Sequence, residues 1–133
     1  MRTLVAVVCI ASLLFGCSHA NSRRDMSVEG ELTLAELAAS NQARLMKLSV
    51  GMSRDEVISL MGNRTARTHD GVVNNPWTIE TSMGKDGAQY EALYYIVRQN
   101  QPFTPVRKSL TTAIVFRSGK LVSWGEHAFD RYQ

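Results

Sequence analysis

The rhythm of apolar and polar positions changes several times along this chain, and each change marks an element. Leu4 to Phe15 is a nearly unbroken apolar run. Ser18 to Gly30 is polar and without period, the pattern of a flexible tether. From Leu32 to Leu48 the apolar positions Leu34, Leu37, Ala38, Leu45 and Leu48 recur at helical spacing. Thr33 is an N-cap candidate, and Glu36 stands where the reciprocal partner of a capping box belongs. Asn41 interrupts the stripe and is expected at its edge.

A second, shorter helix follows, with Val57, Leu60 and Met61 on one face and Ile58 beside them. Its start is strongly specified. The Ser53 hydroxyl can accept an orphan amide of the first turn, and Glu56 can reach back to complete a capping box. Met52 and Val57 occupy the positions of a hydrophobic staple. Asp55 and Glu56 put negative charge at the positive end of the helix dipole. Gly62 suits the stop. So short a helix depends on packing against something larger.

Beyond Gly62 the pattern becomes that of strands. Asn63 to Pro76 is polar, with Gly and Asn, and reads as a connecting loop. Trp77 to Met83 alternates. Gly84 to Gly87 reads as a turn, and Gln89 to Arg98 is rich in aromatic and β-branched residues. Tyr90, Ala92, Tyr94 and Ile96 share one face of that segment, and Leu93, Tyr95 and Val97 the other. Two apolar faces imply either a central strand or a face left open for a partner. Gln99 to Lys108 carries two prolines and is a long loop, of the kind that often serves function. Leu110 to Arg117 is a further strand, Ser118-Gly119 a hairpin turn, and Lys120 to Gly125 the returning strand. Loop length leaves the hairpin register open, and with it whether Trp124 faces core or surface. The expected fold is α+β: two N-terminal helices packed on one face of a small antiparallel sheet of three to four strands.

The leading apolar run changes this picture, because it is too short for a membrane span, which needs roughly 20 residues. Met1-Arg2 supplies a positive start, and Leu14-Phe15-Gly16-Cys17 resembles a lipobox. The resemblance implies cleavage before Cys17, with diacylglycerol on its sulfur and acylation of its amine. Ser18, where retained lipoproteins carry Asp, points to the outer membrane. The expected organisation is a lipoprotein signal peptide at 1–16, lipidated Cys17 and tether at 17–30, and one domain at 31–133. Loss of Arg2 lowers the formal charge of +3 by one, too mild to argue for nucleic acid. Loss of Cys9 leaves Cys17 as the sole cysteine, so packing alone must hold the domain. Arg23 and Arg24 in the tether can meet anionic headgroups or simply be solvated.

Leu48 to Gly62, with its Gly51-Met52-Ser53 cap, Val57 and Leu60-Met61-Gly62 stop, resembles the BamE-like (SmpA/OmlA) family. Phe116-Arg117-Ser118-Gly119-Lys120-Leu121 is similar to the family's final hairpin, and Trp77 and Tyr94-Tyr95 fit the aromatic strands between. The resemblance implies a two-helix domain with three or four strands, also similar to β-lactamase-inhibitor folds. It further implies an accessory lipoprotein of the outer-membrane β-barrel assembly machinery, in contact with other subunits and with anionic lipid.

Candidate chemistry is sparse. His19, His69 and His127 lack metal-ligand spacing, and no cofactor motif is present. Ser123, His127 and Asp130 could be drawn as a triad, but no nucleophile elbow supports it. The expectation is therefore a non-enzymatic protein lodged on the periplasmic face of the outer membrane and serving an envelope protein complex. A periplasmic inhibitor or small-ligand binder is the alternative. Tyr90, Tyr94, Tyr95 and the loop residue Phe103 are the candidate partner-binding residues, with core packing the competing role for Tyr94.

Overall fold

A computed structural model describes residues 31–133, and the expected signal peptide, Cys17 and tether lie outside these described residues. The fold is α+β, with two helices and two sheets. The chain enters through β1 (Glu31–Thr33) and runs into α1 (Leu34–Leu45) and then α2 (Arg54–Met61). β2 (Thr65–Thr68) and β3 (Gly71–Val73) form a hairpin that β1 joins in parallel, giving a three-stranded sheet. β4 (Thr78–Met83), β5 (Gln89–Ile96), β6 (Thr111–Arg117) and β7 (Lys120–Gly125) make a four-stranded antiparallel meander.

The helix starts follow the sequence closely. The Thr33 hydroxyl accepts the Glu36 amide while the Glu36 carboxylate accepts the Thr33 amide, and Ser53 and Glu56 repeat the device on α2. Gly62 closes α2 at φ 70°, a conformation that favours glycine. The Arg44 guanidinium of α1 donates to the Met61 carbonyl, one of the orphan acceptors at the end of α2.

The layering differs from the expected one in three respects. The two helices are not a leading pair, because β1 precedes α1. Nor do they share one sheet. α2 lies on the meander, where Val57 and Met61 pack with Leu93, Tyr95, Ile114, Phe116 and Leu121. α1 instead covers the small sheet and the end of β5, through Leu34, Leu37 and Ala38 against Ala66, Val73 and Ile96. The supposed loop at 63–76 contains β2 and β3. Its only buried apolar side chains are Ala66 and Val73, too few to show a period.

Asn41 is the other correction. It lies at the centre of the α1 stripe, fully buried. The helical period explains this, since Leu34, Leu37, Ala38 and Asn41 fall in one row. Its amide is fully engaged. Nδ2 donates to Asn75 Oδ1 at 2.9 Å and to the Ile96 carbonyl at 2.8 Å, and Asn75 Nδ2 donates back to Asn41 Oδ1 at 3.0 Å. Three separate pieces of chain meet at this pair: α1, the link between the two sheets, and the end of β5.

The hairpin register is settled by two features. Ser118 (φ 49°) and Gly119 (φ 78°) form a two-residue turn in which both residues are left-handed, and Arg117 pairs with Lys120. A bulge at Val115/Phe116 then shifts the ladder. Leu121 pairs with Phe116 and Trp124 with Ile114, so both fall on the α2 side of the meander. Leu121 is fully buried and Trp124 stays at the margin, 36% exposed.

The opposite face of the meander is covered by the end of the chain. Ala128 and Phe129, leading into a 3₁₀ turn at Phe129–Tyr132, pack on Tyr90, Ala92, Tyr94, Ala113 and Val115. β5 therefore has neighbours on both edges and cover on both faces.

Replacing Ser53 by Ala should cost about 1 kcal/mol through the lost cap. Asn41→Ala should cost about 1–3 kcal/mol, because the Asn75 amide and the Ile96 carbonyl lose buried partners. Chemical denaturation measures both, and a double-mutant cycle with Asn75→Ala should be strongly non-additive.

Candidate functional site

Of the sequence-derived candidates, the three tyrosines are interior residues and not a free surface. Tyr90, Tyr94 and Tyr95 are all at most 5% exposed. Alternation along β5 sends Tyr90 and Tyr94 under the C-terminal segment and Tyr95 under α2. Their hydroxyls meet different surroundings. Tyr90 stacks on Tyr132 with ring centroids 4.5 Å apart, and its hydroxyl donates to Asp86 at 2.9 Å. Tyr94 donates to Glu80 at 2.9 Å beneath Lys108, whose ammonium lies 4.5 Å over its ring. The Tyr95 hydroxyl is buried and finds no hydrogen-bond partner among the described residues. Burial pushes its pKa up to about 12.

The drawn triad does not assemble. His127 Nδ1 lies 3.1 Å from Asp130 Oδ2, both exposed. Ser123 Oγ pairs instead with the Tyr132 hydroxyl at 3.2 Å. A relay needs the histidine to bridge nucleophile and carboxylate, and here the serine belongs to another pair. Among the described residues, no His, Cys, Asp and Glu side chains cluster in a way that could hold a metal ion.

Among the apolar side chains that reach solvent, two features bear on the candidate site. The first is Phe103, 84% exposed. It occupies the third position of a turn from Gln101 to Thr104, closed by Thr104 N–H to the Gln101 carbonyl at 3.2 Å. Pro102 precedes it, and its φ of 59° is the conformation that glycine normally supplies there. Holding a bulky side chain in this region costs about 1–2 kcal/mol. Its ring meets His69 edge-on at 5.7 Å.

The second feature was not visible in the sequence. An open groove of about 360 Å³ runs between the end of α1 and the margin of the meander. Leu45, Met46, Val97 and Trp124 give it apolar walls, and Gln42 and Arg98 stand at its rim. Met46 is 86% exposed. Arg98 is held by a bidentate pair with Glu126 at 2.8 and 3.2 Å and by the Ser109 carbonyl at 3.1 Å. The glutamate carboxyl is thereby kept below its usual range. The groove depends on the bulge in β7, which turns Trp124 toward α1. Loop length alone could not reveal that turn.

A pH dependence comes from a separate place, the Glu80 cluster on β4. The Lys108 ammonium, 2.8 Å away, is the main cause that holds the Glu80 carboxyl below the ordinary carboxylate range, and the Tyr94 hydroxyl adds to it. A carboxyl with a depressed folded pKa stabilises the fold above its unfolded value of about 4, and that contribution disappears as pH falls through the folded value. Glu80→Gln should therefore lower Tm at neutral pH, and the two proteins should converge as the medium is acidified. Thermal scans from pH 7 to 3 check this, and parallel curves would contradict it.

Among the described residues no helix is long and apolar enough to cross a membrane. Neither the curated proteins nor the solved structures include a match to this chain. One family model does match, over residues 22–131, and it spans α1, α2, both sheets and nearly all of the C-terminal cover. The chain thus belongs to the family described as "Protein of unknown function (DUF3192)".

Proposed function

We propose that this is a non-enzymatic outer-membrane lipoprotein, anchored at Cys17 on the periplasmic face. It would serve as an accessory or scaffold of an envelope protein complex, such as the β-barrel assembly machinery. The observation that carries the reading is the groove beside Trp124. Most large apolar side chains of the domain are buried or half-buried, yet Met46 and Trp124 stand open beside a fixed arginine. An aromatic anchor with apolar walls and a polar rim is the composition of a protein-docking site. The Leu14-Phe15-Gly16-Cys17 motif supports the address, and the capped α2 and final hairpin support a BamE-like arrangement. Anionic lipid is a second contact that the same resemblance implies.

A small-ligand role would require space between helix and sheet. That layer is filled by Leu48, Val57, Met61, Leu93, Tyr95, Ile114, Phe116 and Leu121, which speaks against it.

The anchor and the groove are tested separately. Cys17→Ser should move the protein from the membrane to the soluble fraction of fractionated cells, and retention at the membrane would contradict the anchor. A photo-crosslinker at position 124 should capture a subunit of an envelope complex in intact cells. Trp124→Lys should abolish co-purification of that subunit with Tm changed by less than about 1 kcal/mol equivalent, as expected for a marginal position. No capture at 124 with the anchor intact would end the docking reading.

A further inference from the structure

The two edges of the meander are treated differently. The β7 edge is partly closed by the chain before α2. Gly51 N–H donates to the Leu121 carbonyl and Leu121 N–H to the Met52 carbonyl, both at 2.8 Å, and Ser53 bridges to Lys120. β4 is the other edge, and among the described residues its outer side pairs with nothing. An open edge is normally blunted by charged side chains, proline or a bulge. Thr78–Met83 has neither proline nor bulge, and its one charge, Glu80, is paired with Lys108 of its own chain.

The hydrogen-bond phase of β4 is fixed by its neighbours. Gly84 N–H donates to the Ala88 carbonyl, so Met83 and Gln89 form a pair without mutual hydrogen bonds. The phase then alternates. Thr78, Glu80 and Ser82 turn their backbone groups toward β5, and Ile79, Thr81 and Met83 turn theirs outward. The outward residues are also those whose side chains rise on the open part of the α2 side. Ile79 is 48% and Met83 66% exposed.

We infer that β4 is an edge for self-association, in which two copies pair antiparallel about a twofold axis through Thr81. This register is self-complementary. Thr81 exchanges both backbone hydrogen bonds with its counterpart, and Ile79 of each copy does so with Met83 of the other. The same step sets Ile79 against Met83 twice on one face. On the other face Glu80 lies opposite Ser82, so no like charges are directly opposed. Glu80 is already neutralised by its own Lys108 at 2.8 Å. A shift by one residue would present inward-turned backbone groups to the partner and lose every bond. The product is a continuous sheet of two meanders. The contact is small, so the dimer is expected to be concentration-dependent.

The test is a register-specific disulfide in the full chain. A hydrogen-bonded antiparallel pair sits about 5.5 Å apart at Cα, inside the disulfide window of roughly 4.4–6.8 Å. Thr81→Cys should therefore yield a species of twice the mass on non-reducing gels after mild oxidation in cells. Ile79→Cys lies about 13 Å from its own counterpart and should not link unless Met83→Cys is added. Unsubstituted chain is the control for Cys9 and Cys17. Ile79→Lys with Met83→Lys, both at exposed positions, should reduce the purified protein from double to single mass in sedimentation with unchanged circular dichroism. The inference is overturned if Thr81→Cys links no more than the control or links to a different protein. A single mass at every concentration of unsubstituted protein overturns it too.

Discussion

Everything in this domain is arranged around one requirement, that β5 be covered on both faces. Tyr90, Ala92, Tyr94 and Ile96 look one way and Leu93 and Tyr95 the other, and none is more than 5% exposed. A strand of this composition is unstable unless two further layers are found for it. The chain supplies them from opposite ends. α2, with the segment before it, covers one face, and residues 128–132 cover the other. The remaining end of β5, at Ile96, is covered by α1 and the small sheet. Each cover is short, and none would be stable alone. Their order comes from β5.

The same requirement explains what the sequence disclosed and what it did not. Elements that carry their own local signal were legible: both capping boxes, the four strands of the meander, and the Ser118-Gly119 turn. β2 and β3 were not, because a small half-exposed hairpin of Thr, Arg and Val has no apolar period to read. The C-terminal cover is silent in the sequence for a related reason. Ala128 and Phe129 are two buried residues in a 3₁₀ turn, and such a turn has no amphipathic signature of useful length. Asn41 is central and not marginal, because at this position spacing outweighs polarity. Its place in the row from Leu34 was already the stronger signal, and only the distant Asn75 makes a buried amide tolerable there.

The candidate site was less legible than the fold. Composition pointed to the tyrosines, as residues that favour interfaces, yet β5 is where the fold most needs large side chains. Two of them instead hold charged groups in place. Tyr94 orders Glu80 under Lys108, and Tyr90 orders Asp86 beside Arg117. Phe103 alone is at the surface as expected, on a turn whose backbone is strained to hold it. The groove beside Trp124 arises from a register shift on β7, and such shifts depend on how both partner strands are packed.

The covers also determine which surfaces stay open. α2 extends over β5, β6 and the start of β7, and α1 stops at Leu45, so the strip between them ends at Trp124. On the other side α2 does not reach β4, which leaves Ile79 and Met83 in solvent. These two openings lie at opposite margins of one sheet, so one can be occupied without obstructing the other. The chain meanwhile enters through β1, which is tied to β2 by a parallel ladder and by the Glu31–Arg67 ion pair at 2.8 Å. The small sheet is in turn joined to β5 through α1 and the Asn41–Asn75 pair, so the first described strand and the centre of the meander are held by one continuous set of contacts.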